Sequence, residues 1–218
     1  MLRLYLIRHG KTYGNTLGRY IGRTDEPLCE EGRKGLAEGS YPPVHMVYSS
    51  PLKRCLETVQ AIYPGHCPLV EPLLQECDFG DFENKNYQEL AGNPAYQAWV
   101  DSKGQLPFPG GEHTEAFRER CRRGFLKVLE DIEGKKGEKF WEEAGPEDTK
   151  TGVALVIHGG TIMSILEAFG SPKKEFYSWQ VQNGQGFSAW LDEEAYEKRD
   201  EVRLYEIHPI SPFAGLSV

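Results

Sequence analysis

The chain opens on a short apolar run that ends abruptly in a cationic turn. Leu2 to Ile7 first alternates and then becomes continuously apolar, and Arg8-His9-Gly10 follows directly. The run is rich in strand formers and predicts a buried strand. Ligands of open α/β sheets bind beyond the carboxyl ends of the strands. These ten residues therefore predict an anion site whose histidine acts as a nucleophile or as an acid or base.

The same arrangement recurs far downstream in the chain. An apolar run over 153–157 is followed by His158-Gly159-Gly160 and by a helical pattern over 160–169. Arg-His-Gly alone is a common tripeptide, but two buried strands that each end in His-Gly can place two imidazoles side by side. The paired glycines would also expose backbone N–H groups at a helix N-terminus, where anions bind. The recurrence favours a functional site over two structural histidines.

Length and charge narrow the class of protein. A chain of 218 residues fits one α/β domain, here 1–218, with an elaborated insertion. No apolar run approaches the roughly 20 residues that span a bilayer, and residues 1–7 are too short for a signal peptide. We expect a cytoplasmic protein without membrane contact. The net charge of −8 argues against nucleic-acid binding.

Cysteine usage predicts reduced thiols and no metal site. The chain has five cysteines and no Cys-x-x-Cys pair. Zinc requires clustered Cys and His, and only His66-Cys67 comes close to that spacing.

The remaining elements are predicted from periodicity and turn residues. Residues 11–27 read as an irregular loop, in which Asn15 is either a neutral donor folded back towards His9 or a turn residue. Residues 134–151 read as a charged surface excursion. Further strands are expected over 44–49, 68–73, 187–191 and 202–208, and helices over 30–38 and 112–133.

Arg54 is a candidate anion ligand. Ser50 followed by Pro51 predicts a helix that starts there, with Ser50 as its N-cap. Arg54 then lies in the first turn, where the helix dipole favours acids. A basic residue against that preference favours a bound anion over plain solvent exposure.

An acidic and aromatic segment supplies a candidate acid. Four acids lie within 76–83, interleaved with Phe79 and Phe82. A carboxylate held against aromatic rings has a raised pKa and can act as a general acid. Glu76 is the first acid after the predicted strand, with Asp78 and Asp81 as the other candidates. The segment over about 77–130 reads as an insertion that caps the site.

Taken in order, these motifs form one pattern. They are Leu6-Ile7-Arg8-His9-Gly10 with Asn15, Gly22-x-x-Asp25-x-x-Leu28-x-x-x-Gly32, Ser49-Ser50-Pro51-Leu52-x-Arg54-x-x-x-Thr58, Glu76-x-x-Phe79-Gly80, Pro109-Gly110-Gly111-Glu112 and Val156-x-His158-Gly159-Gly160. The chain resembles the histidine phosphatase superfamily, also called the phosphoglycerate mutase-like family, from residue 2 to about 190.

The resemblance implies a fold and a chemistry. The fold is a three-layer α/β/α arrangement, with a mostly parallel sheet, helices on both faces and a helical cap. His9 attacks phosphorus and carries the phosphoryl group as phosphohistidine, while Glu76 acts as acid and then as base. No metal or cofactor is implied, because cationic side chains supply the positive charge. The implied phosphate ligands are Arg8, Asn15, Gly22, Arg54, protonated His158, Gly159 and Gly160.

The resemblance leaves the reaction and substrate open. Mutases of the family usually carry Glu-Arg-His-Tyr-Gly where this chain has Glu76-Cys77-Asp78-Phe79-Gly80, which favours a phosphatase acting on a small-molecule phosphate. The 79–83 run looks most like bacterial α-ribazole phosphatases of cobalamin assembly. Asn84 and His113 depart from the usual Gly and Ser. A phosphoglycerate mutase and a non-catalytic phospho-ligand-binding protein are the alternatives.

Overall fold

The backbone is organised around a six-stranded mixed sheet. The computed structural model describes residues 2–135, 152–197 and 201–212. In these ranges the strands are β1 Leu2–Arg8, β2 Met46–Ser49, β3 Leu69–Val70, β4 Gly152–Ile157, β5 Gly186–Leu191 and β6 Leu204–Ile210. The α-helices are α1 Tyr13–Thr16, α2 Glu30–Glu38, α3 Lys53–Ile62, α4 Pro94–Asp101, α5 Thr114–Gly134, α6 Gly159–Phe169 and α7 Glu193–Glu197.

The strand order brings the two His-Gly motifs together. The order is β3-β2-β4-β1-β5-β6. Strands β3, β2, β4 and β1 pair in parallel, β5 pairs antiparallel to β1, and β6 pairs antiparallel to β5. Arg8 at the end of β1 pairs with Ile157 at the end of β4. His9 and His158 therefore leave the sheet at the same edge, and the expected mostly parallel sheet is confirmed.

Helices cover both faces of the sheet. The side chains of β1 alternate, so that Leu4 and Leu6 pack with α5, α6 and Trp179, while Tyr5 and Ile7 pack with α3. All four of these β1 residues are buried. The predicted three-layer α/β/α arrangement is confirmed.

The cap has its own apolar cluster and is shorter than predicted. Cys77, Phe82, Leu90 and Phe108 form this cluster with Phe117 and Cys121, the two buried residues of early α5. From Phe125 onwards, α5 instead packs on the sheet core. Helix α5 thus packs on the cap through its first half and on the sheet core through its second half. By this criterion the cap ends near residue 121 and not at 130.

Several predicted boundaries are shifted, and two of the shifts follow from a tertiary contact or a local turn. Helix α3 begins at Lys53 and not at Ser50, since the Asp25 carboxylate accepts from Lys53 N at 2.7 Å and Ser50 Oγ bonds His158. The 68–73 strand shortens to Leu69–Val70 because a 3₁₀ turn over Pro72–Leu74 follows it. The last strand lies two residues later, at Leu204–Ile210.

Two further observations concern the predicted excursion and the membrane. The predicted 134–151 excursion lies outside the described residues from 136 onwards. Within the described ranges, every helix is too short or too polar to cross a bilayer.

Candidate active site

The two predicted histidines lie side by side beneath the cap. Their ring centroids are 5.2 Å apart and the planes meet edge to face at 64°. His9 is 3% exposed and His158 is fully buried. The strand pairing of β1 with β4 accounts for this approach, because each histidine directly follows its strand.

His9 is held as a neutral base. Its Nδ1 lies 2.7 Å from the Gly10 carbonyl oxygen, so we assign the proton to Nδ1, which donates to that oxygen. The other nitrogen, Nε2, then keeps its lone pair. Burial lowers the pKa of His9 well below its usual value, and the nearby charges of Arg54 and Arg8 lower it further.

The contacts of His158 favour a neutral ring over the expected imidazolium. Arg54 Nε donates to its Nδ1 at 3.3 Å, so the ring proton resides on Nε2 and donates to Ser50 Oγ at 2.7 Å. Burial lowers the pKa of His158 well below its usual value, and Arg54 and His9 lower it further. A cation at Nδ1 leaves no place for a second ring proton.

Arg54 is a fully buried structural cation and not an exposed one. Its Nη1 donates to Thr24 O at 2.7 Å, and its Nη2 donates to Gly22 O at 2.7 Å and to Ile21 O at 3.4 Å. Its charge lies next to both imidazoles, behind His9. The carbonyl contacts explain a basic residue at a helix start without invoking an anion bound there.

Arg8 offers an open donor at the floor of the site. Its Nη1 donates to Val181 O at 2.8 Å. Its Nε is buried and has no hydrogen-bond partner among the described residues. Buried N–H groups are nearly always paired, so this guanidinium edge is suited to an anion.

Glu76 has the environment of a general acid. Its Oε2 accepts from Gly160 N at 3.0 Å and its Oε1 accepts from Cys77 N at 3.0 Å. Burial raises the pKa of Glu76, although these two amides and the charges of Arg54 and Arg8 act in the opposite direction. A raised pKa keeps the carboxyl protonated towards neutral pH.

The two glycines after β4 have different roles. The Gly160 amide donates to Glu76 Oε2, so this contact does not support Gly160 as a phosphate ligand. A Cβ at this position would lie 2.4 Å from Glu76 Oε1. Gly159 is the first residue of α6, where N–H groups have no partner within the helix, and it lines the cavity beside Arg8.

Gly22 and Asn15 organise the loop over the site. The Gly22 N–H donates to Glu83 Oε1 at 2.8 Å, so these contacts do not support it as a phosphate ligand. A Cβ on Gly22 would lie 1.8 Å from the Cys77 carbonyl oxygen. The contacts of Asn15 support its role as a turn residue, because its Oδ1 accepts from Thr12 N in the α1 cap. The residue also lines the cavity.

A cavity of about 260 Å³ opens above His9. Arg8, His9, Glu76 and Gly159 line its floor, whereas Arg54 and His158 do not reach its surface. Its walls are aromatic, and the cap supplies most of them. The aromatic residues are Tyr20, Phe79, Trp99, Phe108, Phe117, Phe176 and Tyr177.

Sequence reasoning missed three residues of the site. Asn183 donates through Nδ2 to His9 O and to Asn15 Oδ1, at 3.1 Å each. Arg19 lines the cavity but pairs with Glu89 through two hydrogen bonds. Glu83 binds the 22–24 loop. None lies in a pattern that spacing alone reveals, because each partner is distant in the chain.

No metal centre is formed by the part of the chain that the structure describes. In those residues there is no group of three or more His, Cys, Asp and Glu side chains that could hold an ion.

Comparison with known proteins identifies the same pattern. The model of the histidine phosphatase superfamily (branch 1) matches residues 4–197. The adenosylcobalamin/alpha-ribazole phosphatase of Salmonella typhimurium is 33% identical over 141 residues, covering 59% of this chain and 67% of that protein. The metal-independent phosphoserine phosphatase of Arabidopsis thaliana is 34% identical over 173 residues, covering 74% and 66%. The crystal structure of the alpha-ribazole phosphatase from Shigella flexneri superposes with a TM-score of 0.70 at 23% identity, covering 99% and 98%, and shows the shared fold.

Proposed function

Because the chain belongs to the histidine phosphatase superfamily and is a phosphoric monoester hydrolase, we propose that it hydrolyses a small-molecule phosphate through a phosphohistidine on His9, without a metal. The main support for this proposal is that one cavity brings together a nucleophile, His9, and a proton donor, Glu76. His9 presents a free lone pair, and Glu76 has a raised pKa. Nucleophile and proton donor are both in their reactive forms.

The first half of the reaction transfers the phosphoryl group. His9 Nε2 attacks phosphorus, and the bond from phosphorus to the ester oxygen breaks. The proton of Glu76 passes to that oxygen, so the leaving group departs as a neutral alcohol. Arg8 Nε and the Gly159 amide lie on the cavity floor and stabilise the phosphoryl oxygens.

The second half releases phosphate. The Glu76 carboxylate takes a proton from a water molecule, whose oxygen attacks phosphorus. The phosphorus–nitrogen bond breaks and its electron pair returns to His9, so both residues regain their starting forms. Throughout, the Nδ1 contact to the Gly10 carbonyl stabilises the positive charge that develops on the ring.

The charge of the cavity favours a phosphatase over a mutase. A mutase must retain a second acidic group, which requires cations beyond the phosphate site. Arg19 lines the wall, but Glu89 neutralises it at 2.8 Å. Arg8 lies on the floor with the phosphate. A substrate with a second anion therefore finds no free arginine among the lining residues.

The aromatic walls favour an ester with a flat apolar group, and α-ribazole 5′-phosphate is the substrate we propose. Tyr20, Trp99 and Phe108 can pack against a heteroaromatic base. The Salmonella relative is named for such an ester. The Arabidopsis relative is named for phosphoserine, whose ammonium and carboxylate would need charged partners. Aromatic walls do not supply those partners.

The test is phosphate release from a panel of esters with EDTA present. The panel contains α-ribazole 5′-phosphate, phosphoserine, 3-phosphoglycerate and p-nitrophenyl phosphate. We expect release that EDTA does not affect, that His9→Ala abolishes, and that is fastest with α-ribazole 5′-phosphate. Acid- and base-quenched samples with labelled phosphate should show a base-stable, acid-labile phosphoenzyme. Unchanged turnover in His9→Ala would overturn the mechanism, while faster phosphoserine release would overturn the substrate alone.

A further inference from the structure

Glu83 of the cap binds the backbone of the loop that holds Arg54. Its Oε1 accepts from Gly22 N at 2.8 Å, from Thr24 N at 2.9 Å and from Thr24 Oγ1 at 2.8 Å. Its Oε2 accepts from Phe79 N at 3.2 Å. All of these partners are donors, so both carboxylate oxygens act as acceptors.

The loop bound by Glu83 is the one whose carbonyl groups fix Arg54. Gly22 and Thr24 donate their N–H groups to Glu83 and offer their C=O groups to the guanidinium at 2.7 Å each. The same two residues therefore join an anion on one side to a cation on the other. Arg54 in turn donates to His158 Nδ1.

The loop also touches the segment that carries the general acid. Gly22 packs against the Cys77 carbonyl so closely that no Cβ fits, and Phe79 lies next to the same glycine. Glu83 binds Phe79 N in this segment, which starts at Glu76. One carboxylate thus fastens the Arg54 loop to the backbone that positions Glu76.

We propose that Glu83 is a positioning residue that sets Arg54 against His158 and His9 by clamping residues 22–24 to the cap. This inference rests on the proposed function, since it assigns a role within the same site. Glutamine keeps the shape of Glu83, but its amide nitrogen cannot accept a bond from Gly22, Thr24 or Phe79. The titratable groups around His9 are Arg8, Arg54, Glu76 and His158. The charges that lower its pKa are those of Arg54 and Arg8, and Arg54 is the one that Glu83 positions.

The test is a double-mutant cycle between Glu83→Gln and Arg54→Ala, read by NMR titration of the histidines and by the acid limb of kcat/KM. When Arg54 is displaced, the pKa of His9 rises, so the acid limb moves to higher pH. We expect Glu83→Gln to lose about tenfold in kcat/KM on the acid limb relative to the native enzyme. In the Arg54→Ala background the same substitution should add little.

A matched control and a milder variant keep the test decisive. Glu115→Gln removes an exposed carboxylate of α5 that pairs with Arg122 and should change neither readout. Thr24→Val removes one donor to Glu83 and should shift the acid limb of kcat/KM in the same direction by less. This variant replaces Glu83→Gln in the test if Glu83→Gln does not fold. Unshifted histidine titrations in Glu83→Gln, or additive losses in the double variant, would overturn the proposal. If the native chain hydrolyses no ester, the proposed function fails, while the histidine titrations still test Glu83.

Discussion

At the scale of single residues, burial shifts the pKa values of the two reacting groups in opposite directions. Desolvation disfavours the charged form of any group, so it lowers the pKa of the His9 imidazole and raises the pKa of the Glu76 carboxyl. Both shifts favour the neutral forms that phosphoryl transfer to His9 needs. The site thus needs no separate proton-transfer step before substrate arrives.

This pairing predicts the pH dependence of kcat/KM. Activity requires His9 without its second proton and Glu76 with its proton, so it should persist well below pH 6.5 and fall as pH rises through the raised pKa of Glu76. Glu76→Gln should remove that falling limb and lower kcat by about 10²–10⁴-fold for an ester with a poor leaving group. A limb that persists in Glu76→Gln would mean that another group is the acid.

Which residues of the site could be predicted from sequence follows from their position. Arg8 ends a strand, and His9 and His158 each directly follow one. Because the carboxyl ends of parallel strands lie at one edge of a sheet, the sequence pattern alone predicted that these residues lie close together. The neutral state of His158 and the use of the Gly160 amide could not be predicted. They depend on contacts with Arg54 and Glu76, which lie far away in the chain.

At the scale of elements, helix ends show the same division between local and tertiary causes. Helix α2 has the predicted bounds, Glu30–Glu38, because its start and its glycine stop are local signals. Helix α3 differs because Asp25 binds the N–H of its first residue from another loop. Asn84, which departs from the family glycine, has φ +59 and keeps the left-handed conformation that glycine would adopt.

Helix α5 offers a stability prediction at its first turn. His113 is the N-cap and its side chain makes no capping hydrogen bond, whereas the family usually has Ser there. His113→Ser should supply an acceptor for the first-turn N–H groups and raise the free energy of unfolding by about 1 kcal/mol. Urea denaturation at pH 7 measures this, with His113→Ala as the control that should give no gain. An equal gain in both variants would show that capping is not the cause.

At the scale of the whole molecule, the buried imidazoles link stability to pH. His9 and His158 both have pKa values held well below 6.5 by burial. Below pH 6.5 these two histidines bind protons in the unfolded chain but not in the folded chain. Folded stability is therefore fully present above pH 6.5 and is lost as pH falls towards the lower folded values.

We expect the free energy of unfolding to decrease from pH 7 to pH 5 by up to about 1.4 kcal/mol per pH unit for each imidazole. Urea titrations in buffers without phosphate measure this slope. His158→Asn should make it shallower. Glu76 acts with the opposite sign, since its raised pKa lowers stability as pH rises above 4.5. A slope unchanged in His158→Asn would contradict this account.

The strand order has a consequence for synthesis on the ribosome. Strand β4 lies between β2 and β1 in the sheet, yet it is made after both of them and after the whole cap. A nascent chain that ends before Gly152 already contains His9, Arg54 and Glu76, but its two central strand edges face a gap. Unpaired edges of this kind attract strands of other chains. We therefore expect a ribosome that stalls before β4 to leave an inactive chain prone to aggregation, whereas insertion of β4 fills the gap and brings His158 beside His9 before β5 and β6 are added.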